Sequence, residues 1–180
     1  KKRYLFFVPR FSSLSLLLLI GLSRLCAQNV TIPIVTENNT ILLQTDNDNR
    51  LRTIYVGELL RKTTEYPLVA SMNHLDDGDN GISNAAYTTA GTWNLSQPAI
   101  QVKHSDGNSS LELKYVSHKQ EVIDDNTSLT SILLKDPLYP FQVTLFYKVW
   151  KDENVIEQWV EILHKEKSPV LLQKYASANL

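Results

Sequence analysis

Phe141, Val143, Leu145, Tyr147 and Val149 alternate without a break with Gln142, Thr144, Phe146, Lys148 and Trp150. A period of two puts the first five on one side of an extended chain, whereas a helix would scatter them around its circumference. One face of a ten-residue strand is therefore wholly apolar and the other mixed. Lys151-Asp152-Glu153-Asn154 then turns the chain into Val155 to Leu163, and Lys165-Glu166-Lys167-Ser168-Pro169 turns it again into Val170 to Tyr175. Three long strands in a meander are expected, forming a broad sheet. An amphipathic helix over Val155 to His164 is the alternative for the middle segment, disfavoured by its β-branched and aromatic residues.

The same grammar runs backward through the chain. Val30 to Val35 and Thr40 to Thr45 flank Thr36-Glu37-Asn38-Asn39, and Asp46-Asn47-Asp48-Asn49 leads into Leu51 to Val56. Both tetrads are rich in residues that tolerate positive φ or bond their own backbone. Ala99 to Lys103 and Leu111 to Ser117 flank Ser105-Asp106-Gly107-Asn108, where Asp-Gly predicts a hairpin. No window longer than two turns carries a helical period, so the expected class is antiparallel all-β.

Residues 1–27 read differently. Lys1, Lys2, Arg3 and Arg10 precede an apolar run from Leu14 to Leu22, and Leu25-Cys26-Ala27 brings a small residue before Gln28. That is the layout of a secretory signal peptide, with an apolar core too short for a transmembrane span. The alternatives are an uncleaved anchor and a lipoprotein acylated at Cys26. The expected division is 1–27 as signal peptide and 28–180 as an incomplete β domain. The chain lacks an initiator Met and stops in the apolar stretch Ala176 to Leu180, so it is expected to be a piece of a longer product.

Five basic residues and no acid leave with residues 1–27, so the chain's 18 basic residues become 13 against 19 acidic, a net −6. An acidic domain is a poor partner for nucleic acid or for an anionic membrane. Cys26, the only cysteine, leaves as well. A disulfide-free exported domain suits the bacterial periplasm or exterior, although five Asn-x-Ser/Thr sites, at Asn29, Asn38, Asn94, Asn108 and Asn126, are what a glycosylated protein would carry.

Between Thr63 and Pro98 the strand pattern stops, and an irregular stretch of that length inside a tight sheet is where a site is expected. Counted from Asp77, its acidic run puts Gly81 at the fifth and Thr88 at the twelfth position, which fails the calcium-loop pattern. His74, His104, His118 and His164 show no paired spacing for zinc, and no serine sits in a nucleophile-elbow motif. No metal or cofactor is expected. Trp93 beside Tyr87 and Asn94 could stack on a pyranose and bond its hydroxyls, or could equally pack beneath the loop. Trp150 and Trp159 are expected to pack on the sheet.

Several stretches resemble one family. Leu51 with Tyr55-Val56-Gly57-Glu58-Leu59-Leu60, then Tyr87, Gly91 and Pro98-Ala99, then Leu111, Lys114-Tyr115 and His118, then Leu134, Asp136, Val143, Leu145, Tyr147 and Ser177-Ala178 follow in order. They resemble the N-terminal β-supersandwich domain of family 36 glycoside hydrolases, the bacterial α-galactosidases, and especially exported Bacteroides-type members. Many members carry an aspartate and an arginine two apart where this chain has Asn94 and Ser96, and a proline where it has Thr88.

The resemblance implies retaining hydrolysis of terminal α-linked galactose, with two catalytic aspartates on a following (β/α)8 barrel and none in this chain. Neither Asp76 nor Asp136 is expected to act as one. Trp93 and Asn94 become candidate substrate contacts, α-galactosides the carbohydrate partner, and a homo-oligomer, a tetramer in the family, the expected assembly. A non-catalytic carbohydrate-binding or adhesive β-sandwich is the rival reading.

Overall fold

The computed structural model describes residues 29–72, 84–91 and 97–178. It is a mostly antiparallel β structure of nine strands among those residues: β1 (Thr31–Val35), β2 (Asn39–Thr45), β3 (Leu51–Glu58), β4 (Ile100–Lys103), β5 (Lys114–Val122), β6 (Thr127–Lys135), β7 (Phe141–Trp150), β8 (Val155–His164) and β9 (Leu171–Tyr175). They form three sheets, ordered β1-β2-β3, β4-β9 and β5-β6-β7-β8.

The alternation in β7 decides the largest sheet. Phe141, Val143, Leu145, Tyr147 and Val149 are all buried, and Ile132 and Leu134 of β6 stand directly opposite Leu145 and Val143. Ile32, Ile34 and Leu43 from the first sheet, and Ile100 and Val102 from β4, join them in one core cluster. All three sheets thus share one apolar interior. Ile132 is fully buried. Ile132→Val is expected to lower stability by about 1 kcal/mol, the effect of one buried methylene, and a denaturant titration that leaves the midpoint unchanged would show that the core does not close there.

On the outer face of the same sheet, Phe146 and Trp159 pair across β7 and β8 and stack with centroids 4.9 Å apart. Lys148 places its ammonium 4.6 Å from the centre of the Trp150 ring. Both tryptophans therefore pack on the sheet, and Val155–His164 is a strand.

The turns obey their residues. Asp46 Oδ1 accepts the N–H of Asp48 at 2.9 Å and of Arg50 at 2.8 Å, while Asn49 takes φ 58. Asn154 closes the β7–β8 turn at φ 55. Pro33 is tolerated because β1 is an edge strand, where a missing N–H breaks no ladder.

Three expectations are corrected. The last strand does not continue a meander: β9 pairs with β4, while β8 pairs only with β7. The main-chain N–H of Lys165 bonds the Pro140 carbonyl at 2.8 Å, and the Glu166 side chain reaches the end of β4, so the chain is led away from β8. Next, Asp106-Gly107 makes a tight turn, with Gly107 at φ 91, but its flanks are not a hairpin. Leu111 and Leu113 dive into the core, and the N–H groups of Leu111 and Glu112 bond the Ala90 carbonyl and the Asp136 carboxylate. Finally, the stretch after β3 is not all irregular. A 3-10 turn, Thr63–Glu65, leads into a short helix α1, Tyr66–Met72, and residues 84–91 are laid against the sheets.

Candidate functional site

Trp93 and Asn94 lie outside the described residues, as do His74 and Asp76. What the structure describes is the pair of segments flanking residues 92–96, here called the stem. Thr88, 1% exposed, grips both strands of it: its carbonyl accepts the N–H of Ala99 at 3.0 Å and of Ile100 at 3.2 Å, and its hydroxyl accepts the Ala99 N–H at 2.8 Å. Thr88 thus contributes a hydroxyl as well as a carbonyl to the joint. Ala90 donates to the Ile100 carbonyl at 3.0 Å, completing the stem.

Tyr87 corrects the picture of an exposed aromatic beside Trp93. It is 5% exposed, and its hydroxyl donates to the Ala176 carbonyl at 2.8 Å. Burial pushes that hydroxyl's pKa up to about 12. Tyr87 is a core residue that ties the loop stem to the end of β9, and it offers no face to a sugar.

Gly91 forms the other wall of the stem. Its φ is 85, and a Cβ added there would lie 2.6 Å from Ser110 Cα. Only glycine allows this approach. Its carbonyl accepts the Ser110 hydroxyl at 3.2 Å.

Ser110 continues into a buried polar cluster that the sequence did not announce. The Ser110 carbonyl lies 3.1 Å from His104 Nε2, and His104 Nδ1 lies 2.8 Å from Glu166 Oε1. Both side chains of that pair are sequestered, at 0% and 3% exposure. The second oxygen of Glu166 accepts the Ser105 N–H at 3.0 Å. Tyr139 lies flat on the imidazole, centroids 3.7 Å apart and planes within 6°, and its hydroxyl donates to Asp106 and accepts from Asn108.

A histidine oriented by a carboxylate is two thirds of a hydrolytic triad, but the third member is missing. The second ring nitrogen faces a main-chain carbonyl, and the nearby Ser110 hydroxyl is directed at Gly91. Both ring nitrogens are thus engaged, one by the Glu166 carboxylate and the other by the Ser110 carbonyl. The cluster is a structural clamp that binds β4, the turn after it and the β8–β9 connection.

The other partly buried carboxylates are committed to the fold as well. Asp136 accepts N–H groups from Leu138 at 2.7 Å, Tyr139 at 2.9 Å and Glu112 at 2.9 Å. Lys114 at 2.7 Å, together with Arg50 at 3.1 Å, holds the Glu112 carboxyl below the usual range against the opposing effect of burial. The Asn108 N–H and then the Tyr139 hydroxyl likewise hold the exposed Asp106 carboxyl below its usual range. A bulge in β5 turns Tyr115 toward His118, hydroxyl to Nδ1 at 2.7 Å. Among the described residues no three His, Cys, Asp or Glu side chains come together as metal ligands.

The family model described as the glycosyl hydrolase family 36 N-terminal domain matches residues 49–180. Alpha-galactosidase Mel36A of Lactobacillus acidophilus is 27% identical over 108 residues, covering 52% of this chain and 15% of that protein. Alpha-galactosidase 1 of Pediococcus pentosaceus is 27% identical over the same shares. Among solved structures, the alpha-galactosidase of Lactobacillus brevis superposes with a TM-score of 0.73 at 17% identity, over 85% of this chain and 24% of its own. A variant of the alpha-galactosidase AgaA from Geobacillus stearothermophilus, solved with raffinose, gives 0.70 at 18% identity, over 82% and 24%. At those identities the structural likeness is one of fold. The chain spans about 15% of the length of the curated relatives it matches.

Proposed function

This chain belongs to glycosyl hydrolase family 36, through its N-terminal domain, and from that premise we propose that it is the β domain of an enzyme releasing terminal α-linked galactose. The observation that carries the reading is the family match over residues 49–180. Relatives of the same fold have been solved with raffinose and with stachyose, and the proposed substrates are oligosaccharides of that class.

The chemistry proposed is retaining hydrolysis by two aspartates about 5 Å apart, one as nucleophile and one as acid/base. They belong to a barrel outside the β domain. Asp136, Glu166, Asp106 and Glu112 serve the fold through the bonds described above. The role of this domain is to supply residues 92–96 to the substrate site, with Thr88 and Gly91 in the segment that precedes them. Trp93 stacks on a sugar ring and Asn94 bonds a hydroxyl. Residues 1–27 direct export and are removed, leaving Gln28 as the first residue of a periplasmic or secreted protein that assembles as a homotetramer.

The whole gene product incubated with raffinose is expected to liberate galactose, and no release from any α-galactoside would overturn the reading. For the loop, Trp93→Ala in the whole enzyme is expected to raise KM about three- to tenfold, the worth of one aromatic stack. Unchanged KM and kcat would remove Trp93 from the substrate site. N-terminal sequencing of the exported protein checks the boundary, which fails if residues 1–27 are retained.

A further inference from the structure

A cleft of about 280 Å³ opens where β6 and β8 end and β7 begins. Tyr139, Pro140 and Phe141 give it an apolar side, and Lys135, Lys165 and Gln142 give it a polar one. Both lysines are exposed, and neither forms an ion pair among the described residues. This is unexpected in a domain where residues 28–180 carry 13 basic against 19 acidic side chains.

The two carboxylates next to these lysines in sequence are hydrogen-bonded to other groups. Asp136, which lines the cleft, has both oxygens on main-chain N–H groups of Leu138, Tyr139 and Glu112. Glu166, next to Lys165 in sequence, is turned to His104 and Ser105. Lys135 and Lys165 therefore line one concavity without an ion pair among the described residues, outnumbering the Asp136 carboxylate that lines it too, beside a Gln142 amide with donors and an acceptor to offer. Opposite charge on a ligand is the complement such a site lacks.

We infer that this cleft binds the acidic group of a saccharide, a carboxylate or a sulfate ester, between Lys135 and Lys165, with the sugar body on Tyr139 and Pro140 and a hydroxyl on Gln142. The cleft is too small for a long oligosaccharide and takes one acidic residue of a branched or decorated glycan. The saccharide part rests on the functional reading above, whereas the anionic part rests on the cleft alone.

The test uses the whole gene product and a Lys135→Gln, Lys165→Gln double variant. Calorimetric titration is made with galacturonate, galactose 6-sulfate, neutral galactose and inorganic sulfate. The double variant is expected to lose roughly tenfold or more in affinity for the acidic sugars, with neutral galactose binding and raffinose hydrolysis unchanged. Tighter binding of one acid over the other supports the inference and identifies the anionic group. Equal affinity of both proteins for the acidic sugars, an equal loss for neutral galactose, or inorganic sulfate binding as tightly as the sugars would overturn it. A product without α-galactosidase activity would sink the functional reading while leaving the acidic-sugar titration as informative as before.

Discussion

Replacing His104 with alanine is expected to cost roughly 3 kcal/mol, the effect of leaving a buried charged carboxylate and a carbonyl short of a hydrogen-bond partner. The Glu166 carboxylate, 3% exposed, would be left with Ser105 alone as partner, through its N–H and its side chain, and the Ser110 carbonyl would lose its bond to the ring. Tyr139 would lose the surface on which it stacks. The damage is expected to localise, because the cluster is what draws β9 to β4. Hydrogen exchange should speed up first at the amides of Val102 and Leu172, which face each other in that pair of strands. Uniform loss of protection across all three sheets, or none, would show that the clamp is not the joint described.

Glu166 also sets a direction with pH. Burial is the largest influence and pushes its pKa up, but the Ser105 N–H and the His104 bond together outweigh it and hold the carboxyl below its ordinary value. A depressed carboxylate contributes stability that is fully present above its unfolded value and is lost as pH falls through the folded one. The β4–β9 amides should therefore lose protection on acidification below the ordinary carboxylate range. Glu166→Gln should flatten that dependence while lowering protection at neutral pH. An equally steep acid profile in the variant would assign the effect to other groups.

Gly91→Val should be the next most damaging change. A β-branched residue at φ 85 is strained wherever it sits, and here the added Cβ would meet Ser110 Cα at 2.6 Å and the Ser109 carbonyl at 3.1 Å. Those are main-chain atoms, which cannot rotate aside. Strain of about 1–3 kcal/mol and overpacking of about 1–3 kcal/mol are both expected. The segment that would yield carries the Ser110 carbonyl, so the displacement reaches His104. In the whole enzyme the variant should melt at lower temperature and lose more kcat/KM than Trp93→Ala, because it moves the stem and not one side chain. A variant with wild-type melting and kinetics would mean that the close approach at Gly91 matters neither to stability nor to substrate.

The sequence announced whatever depends on near neighbours. The alternation from Phe141 to Trp150 was sufficient for β7, since the period alone determines which face is buried. Asn49 and Asn154 take positive φ inside tetrads whose composition had already marked them as turns. What depends on distant partners was not legible. Nothing near Val170–Tyr175 says that its partner is Ile100–Lys103, and the local turn chemistry favoured a meander. Tyr87 lies in a stretch of small and polar residues that reads as exposed loop, yet its burial is settled by an Ala176 carbonyl far along the chain. His104 and Glu166 belong to no motif, and their 62-residue separation hides the pair from any spacing rule. Asp-Gly at 106–107 did signal a turn, but a turn does not specify whether its flanks pair.

For the site, the residues that build the loop stem, Tyr87, Gly91 and Pro98-Ala99, were picked out by family resemblance, and the structure adds what three of them do. Tyr87 anchors, Gly91 permits close approach, and Ala99 receives the Thr88 grip. The proposed catalytic reading is tested most directly by proton NMR of the whole gene product acting on raffinose, following the anomeric signals of free galactose before mutarotation. Release of galactose first as the α anomer is the predicted result. The β anomer appearing first, or no galactose at all, would contradict it.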